Sequence, residues 1–214
     1  MGKIGLGCLA LVVLLVVIIG ISFAGTNNRL VTLNQEVDKQ WAQVENQYQR
    51  RADLVPNLVA TVQGAAQFEK STLEEVVRAR ASVGQATPPA GTAPTDPAQL
   101  AKYEQAQAAL GGALSRLLIV VEKYPDLKAN ANFRDLQAQL EGTENRISVE
   151  RMRFNEVAQA YNTTLLKFPT NITGRMLGFK ERPYFHGTTG SDKPPAVNFN
   201  FGTTPAAAAP APAR

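Results

Sequence analysis

The chain has 214 residues, and its 22 Lys and Arg residues against 18 Asp and Glu residues give a net charge of +4. This excess is too small for a nucleic-acid-binding surface, so no nucleic-acid partner is expected. The single cysteine excludes an intramolecular disulfide and a thiolate metal site within one chain, and the lone histidine, His186, cannot complete a metal site. We therefore expect no cofactor.

The stretch from Ile4 to Ala24 carries no charged residue. As a helix, these roughly 21 residues would be about 30 Å long, enough to cross the hydrocarbon core of a bilayer. Residues 1–25 therefore predict a transmembrane signal anchor, with the lipid bilayer as partner of residues 4–24. A cleaved signal peptide is the less favoured alternative, because Ser22-Phe23-Ala24 offers only a weak cleavage site.

The orientation of this segment depends on the charges that flank it. The amino terminus and Lys3 lie on one side, and Arg29 and Lys39 lie on the other, so the positive-inside bias is nearly balanced. We favour a single-pass protein of the bacterial cytoplasmic membrane, with a short internal amino terminus and the large domain outside the cytoplasm.

Residues 26–185 are predicted to form one all-α domain. Apolar residues recur at steps of three and four in three segments, which predicts an antiparallel bundle of three long helices. The first runs from residue 26 to before Gly84, the second begins at Asp96-Pro97, and the third covers about 132–168. A break near residues 64–71 would split the first helix and give four.

The first predicted helix is longer than the other two, so part of its apolar face lacks a partner within the chain. Trp41, Val44 and Tyr48 lie on that part. Leaving such side chains in water is unfavourable, so they predict a self-association face and a homo-oligomer. If the helix breaks instead, the chain folds back and covers them itself.

The carboxy-terminal part has two distinct compositions. Residues 171–185 mix Met, Leu, Phe and Tyr with basic residues, and they either strap onto the bundle or touch a membrane surface. Residues 186–214 are rich in Gly, Thr, Pro and Ala and are predicted to form a disordered tail.

Two stretches carry more polar residues than packing requires, and Glu144 and Arg151 fall on the apolar seam of the third helix. Charged seam residues are buried only when paired, so we interpret the set as a polar layer that fixes helix register. Gln107, the polar residue on the seam of the second helix, either joins such a layer or is replaced on the buried face by Ala106. A ligand or partner site is the second interpretation, and acid–base catalysis by paired carboxylates is the weakest. The candidate residues are Arg50, Arg51, Asp53, Asn57, Glu141, Glu144, Asn145, Arg146 and Arg151.

Several long motifs identify a family. YQRRADLVPNLVATVQG, TLEEVVRARA, YPDLKANANFRDLQAQLEGTENRI and RFNEVAQAYN resemble the LemA family of bacterial membrane proteins. The resemblance covers about residues 25–185 and the amino-terminal segment, and the tail after Gly187 lies outside it. It implies a helical bundle on one anchor in the bacterial envelope. Because relatives include a magnetosome-membrane protein, it also points to membrane organisation, without a catalytic mechanism.

The sequence thus predicts a non-enzymatic, membrane-anchored scaffold or interaction protein that self-assembles, with an envelope protein as a candidate partner. A lipid- or peptide-binding module and an accessory subunit of an envelope protease are the alternatives. A pocket lined by unpaired polar groups at the Arg51 and Glu144 layer would favour the binding module.

Overall fold

The computed structural model describes residues 2–64 and 69–187, and within these ranges the regular structure is entirely helical, without a strand. The predicted all-α class is confirmed. The described residues contain four long helices and two short ones: α1 (Gly2–Gln63), α2 (Lys70–Ala86), α3 (Pro97–Val121), α4 (Pro125–Ala129), α5 (Ala131–Leu166) and α6 (Thr170–Met176).

Helix α1 has 62 residues, which corresponds to about 93 Å. It runs without interruption from the apolar amino-terminal segment into the rest of the domain, and Pro56 lies inside it. The large apolar side chains described between Leu9 and Ile21 are exposed. Among the described residues, α1 is the one helix that is long and apolar enough to cross a membrane.

Helix α1 ends at Gln63 and α2 begins at Lys70, which is the break that gives four long helices instead of three. The chain then folds back along α1, as a 2.9 Å hydrogen bond from the Nε of Arg80 in α2 to the carbonyl of Ala52 in α1 shows. Residues 65–68 lie outside the described part of the chain.

The long helices α1 and α5 pack against each other in opposite directions. Gln40 donates to Glu150 at 2.6 Å, and farther along α1, Arg51 donates to Glu144 at 2.8 Å, so positions rise along one helix as they fall along the other. Helices α2 and α3 are also antiparallel, because Arg116 in α3 pairs with Glu75 in α2, and Lys123, just after α3, pairs with Glu69, just before α2.

The starts of α3 and α5 carry side-chain caps. Asp96 accepts a 2.9 Å hydrogen bond from the backbone of Ala98 and is followed by Pro97, as predicted. Asn130 accepts in the same way from the backbone of Asn132. These caps satisfy backbone groups that have no partner inside the helix.

Two apolar clusters form the core. The distal cluster lies around Leu58 and is made from α1, α2, α3, α4 and α5. The Trp41 cluster lies nearer the amino-terminal segment and combines α1, α3 and α5 with Ala86 at the end of α2, Ala93 in the loop 87–96 and Phe185 in the carboxy-terminal segment. Its members are Leu30, Val37, Trp41, Val44, Tyr48, Ala86, Ala93, Leu100, Tyr103, Ile147, Phe154, Ala158, Tyr161, Leu165 and Phe185.

This arrangement corrects the predicted self-association face. Trp41 and Val44 are fully buried and Tyr48 is 3% exposed, all within the chain's own core. The prediction was wrong because it left part of α1 without a partner, whereas α5, the start of α3 and the carboxy-terminal segment cover that part. Any contact between copies of the chain would have to use another surface.

Candidate functional site

Arg51 is the centre of the predicted polar layer. It is 3% exposed, its Nη1 donates to Glu144 Oε2 at 2.8 Å, and its Nη2 donates to the carbonyl of Gln107 at 3.0 Å and also to the side-chain oxygen of that residue. The layer therefore joins α1, α3 and α5. A buried guanidinium needs such partners, because an unpaired buried charge is strongly unfavourable.

The burial of the other seam charges differs from the expectation. The Glu144 side chain is 56% exposed, and the Arg151 side chain, which donates to Glu104 at 2.8 Å, is also partly exposed. The buried charge of the polar layer is instead Arg51, which belongs to α1. Glu144 meets it from the rim and keeps contact with water, so it is not a buried carboxylate.

The remaining candidates do not converge on Arg51. Glu141 lines the cavity beside the layer but is exposed. The others are exposed on the surfaces of α1 and α5: Arg50, Asp53, Asn57, Asn145 and Arg146. Sequence reasoning overestimated the layer because a run of polar residues along a helix covers every face, and only one position in three or four points inward.

A cavity of about 440 Å³ opens beside the layer. Arg51, Gln107 and Glu144 supply polar groups to its wall, while leucines and an isoleucine of α3 and α5 supply apolar surface. These polar and apolar groups together suit a ligand with an apolar body and a few polar groups. The Nε of Arg51 is buried and has no hydrogen-bond partner among the described residues.

Two tyrosines close the layer on the side of the Trp41 cluster. Tyr48 and Tyr103 pack edge to face with ring centroids 5.4 Å apart, and the Arg51 guanidinium lies 5.2 Å from the Tyr48 ring. Burial raises the pKa of both phenols above the usual value. They therefore stay protonated at neutral pH and can donate hydrogen bonds without acting as bases.

The carboxy-terminal segment forms a second polar site that the sequence did not predict. Residues 179–187, here called the C-terminal strap, lie along α5 without regular structure. Asn162 donates to the carbonyl of Arg182 and accepts from its backbone nitrogen, both at 2.8 Å. Asn155 makes the same paired contact with the backbone of Phe185. Each asparagine thus pairs with the backbone N–H and C=O of one strap residue, as an adjacent β-strand would.

The Arg182 side chain passes from the strap into the core. It is bound by the Asn34 side chain at 2.8 Å, by Asp38 at 3.3 Å and by the carbonyl of Ala93. This network ties α1 and the loop 87–96 to the strap. The strapping alternative for residues 171–185 therefore holds for residues 179–185.

The strap also reaches the polar layer. Glu104 accepts from Arg151 and, at 3.1 Å, from the backbone nitrogen of His186, while Arg151 donates to the carbonyl of His186 at 2.7 Å. His186, which the sequence assigned to the tail, is thus bound to the domain. The rest of that predicted tail, residues 188–214, lies outside the described residues.

A sequence model of the LemA family matches residues 40–199. The chain belongs to the LemA family. The match ends twelve residues beyond Gly187, so the expectation that everything after Gly187 lies outside the resemblance is wrong.

Two relatives share parts of this LemA chain. The chain is 34% identical over 89 residues to the magnetosome protein MamQ of Magnetospirillum gryphiswaldense, which covers 42% of this chain and 33% of that protein. It is 28% identical over 185 residues to the magnetosome protein MamQ 2 of Paramagnetospirillum magneticum, which covers 78% of this chain and 67% of that protein. The first match thus spans one third of its relative.

Proposed function

We propose that this LemA protein is a non-enzymatic interaction protein, anchored by residues 4–24 in the bacterial cytoplasmic membrane, with its helical domain outside the cytoplasm. Helix α1 carries this proposal, because it continues without a linker from the uncharged segment into both core clusters. A domain built on its own anchor is held at a fixed height above the bilayer. We further propose that the four long helices act as one bundle that presents the cavity to a partner.

The chemistry of the cavity supports a binding role. Among the described residues that line it, the polar groups are arginines, carboxylates, a glutamine, a serine and a protonated tyrosine. Ser115 donates its hydroxyl to the carbonyl of Gly111, so it is not activated by a neighbouring base. Similarity to proteins named for the magnetosome supports a role at a membrane.

Photocrosslinking in cells tests this proposal. A photoreactive residue replaces Ser115, which is exposed on the cavity wall, and in a matched control it replaces Asn145, which is exposed on α5 outside the cavity. A distinct product containing a second protein should form from position 115 and not from position 145. Equal products at both positions, or no product at either, would contradict a partner at the cavity.

The membrane orientation is tested separately. A single cysteine at position 115, in a Cys8→Ser background, should react with a membrane-impermeant maleimide on intact spheroplasts. Labelling only after lysis would place the domain in the cytoplasm and overturn this part of the proposal.

A second candidate function is peptide binding in the cavity, which its combination of an apolar wall with the polar side chains of Arg51, Gln107 and Glu144 favours. Arg51 lies about 27 residues beyond Ala24, so it is about 40 Å farther along α1 at 1.5 Å per residue. A lipid would have to leave the bilayer to reach that height, whereas a peptide would not. This geometry favours a peptide over a lipid.

Native mass spectrometry of the full chain, purified from its own membranes, tests this candidate. A bound mass should accompany the protein, be lost with Ser115→Trp, which fills the cavity wall, and be kept with Asn145→Trp. No bound mass in the parent protein, or equal binding by both variants, would refute it.

A further inference from the structure

The end of α5 and helix α6 expose a dense group of large apolar side chains. In residues 166–177, here called the α6 turn, Phe168 is 80% exposed and Met176 is 74% exposed, and three further apolar side chains are exposed beside them. Single exposed apolar residues are normal on a protein surface, but a contiguous group indicates an interaction site. The three others are Leu166, Ile172 and Leu177.

Helix α6 has two unlike faces. Ile172 and Met176 are four residues apart and lie on the same exposed face. Gly174 is buried on the opposite face, where a Cβ would collide with Leu165 and would lie 3.6 Å from Leu30. The glycine therefore lets α6 approach the Trp41 cluster closely, and the apolar face points away from the core.

A shallow cavity of about 290 Å³ between α1 and the end of α5 shows where α6 lies along α1. Thr164 and Thr170, at the end of α5 and the start of α6, line it together with Ser22, Gly25 and Arg29 of α1. The α6 turn therefore begins beside the last residues of the apolar segment 4–24. It lies at the height where a bilayer that contains this segment would end.

The charges around the α6 turn have one sign. Arg29, Lys167 and Arg175 are exposed, and none of them forms an ion pair with another described residue. The sequence has no acidic residue before Glu36 and none in 166–180. The turn thus combines apolar side chains with uncompensated cations, which is the composition of segments that bind at the surface of anionic membranes.

We infer that the α6 turn is a second membrane contact. Phe168, Ile172 and Met176 enter the headgroup region of the bilayer, and Lys167 and Arg175 bind the phosphates of anionic lipids. This inference depends on the proposed anchor at residues 4–24, because that anchor sets the height of the turn. Two contacts, one through the bilayer and one on its surface, hold the domain in a single orientation.

Fluorescence quenching of the full chain in vesicles tests this contact. Single cysteines labelled with an environment-sensitive fluorophore are placed by Ile172→Cys, Ile119→Cys and Leu14→Cys in a Cys8→Ser background. Ile119 is a matched control, because it is an isoleucine that is exposed on α3. A spin-labelled lipid reports contact with the bilayer, and iodide reports contact with water.

We expect the probe at 172 to be quenched by the lipid and protected from iodide, and the probe at 119 to behave in the opposite way. Vesicles containing phosphatidylglycerol should strengthen the contact relative to pure phosphatidylcholine. Lys167→Gln with Arg175→Gln should weaken it in the anionic vesicles, by a factor of about five per charge removed.

Four results would overturn the inference. Equal behaviour of the probes at 172 and 119 would leave the turn in water. Protection of 172 from both quenchers, at high dilution in lipid, would mean that protein covers it instead. If lipid quenches the probe at 14 but not the probe at 172, the anchor holds and the second contact alone fails. A probe at 14 that lipid does not quench removes the proposed anchor itself.

Discussion

Phe185→Ala should be the most damaging single change in the C-terminal strap. The ring is 5% exposed, stacks on Trp41 with centroids 5.8 Å apart, and meets Phe154 edge to face at 5.3 Å. Burial of a phenylalanine contributes about 2–3 kcal/mol, and each aromatic pair adds about 1 kcal/mol. The free energy of unfolding should therefore fall by about 4 kcal/mol, within the range usual for Phe→Ala in a core.

Trp41 is the only tryptophan, so its fluorescence reports this site directly. Urea unfolding of the full chain in detergent should show a lower midpoint for Phe185→Ala and a red-shifted emission before unfolding, because water reaches the indole. Phe168→Ala removes the same atoms from a ring that is 80% exposed and should change the free energy by less than about 0.5 kcal/mol. Equal midpoints for the two variants would refute the assigned role of the strap.

Three further predictions concern the polar groups. Glu144→Gln should lower the free energy of unfolding, measured with urea, by less than about 1 kcal/mol, because the carboxylate is half exposed. Gln107→Ala should lower it by about 2 kcal/mol, because it removes an acceptor from buried Arg51. The reverse order of the two variants would contradict the assigned burial. Burial raises the pKa of Tyr103, so above about pH 10 the unfolded chain loses the phenolic proton before the folded chain does. The free energy of unfolding should therefore fall with rising pH, by up to about 1.4 kcal/mol per pH unit. Tyr103→Phe should flatten this slope in urea titrations. Asn162→Ala should free the strap and expose residues 179–187 to a protease without altering the helix content measured by circular dichroism, and unchanged proteolysis would contradict its role.

The helical part of the fold was accessible from the sequence because it depends on local signals. Apolar spacing of three and four located the long helices, and Asp96-Pro97 marked the start of α3. The break after Gln63 was only one of two alternatives, because Gly64 follows it and a single glycine costs a helix only about 1 kcal/mol relative to alanine. The partner of each apolar face depends on contacts between distant residues, so the covering of Trp41 by Phe185 was not predictable from spacing.

Only part of the candidate site could be predicted from the sequence. Glu144 and Gln107 were singled out because they interrupt apolar seams, and Arg51 because it lies in a polar stretch; the structure places Arg51 in contact with both. Asn155 and Asn162 were missed, although they are seven residues apart and therefore share a face of α5 beside Tyr161. Their hydrogen-bond partners are backbone groups of an irregular segment, and no side-chain pattern in that segment predicts such a contact.

The topology gives a reason for the place of the α6 turn. Helix α1 leaves the apolar segment, and α5 runs back along it, since Arg51 pairs with Glu144 and Gln40 pairs with Glu150. Helix α5 has 36 residues, or about 54 Å, close to the length of α1 beyond Gly25. An antiparallel partner of that length must end beside the apolar segment. With residues 4–24 as the proposed anchor, whatever follows α5 would lie at the membrane surface, and the basic, apolar composition of residues 166–177 suits that position.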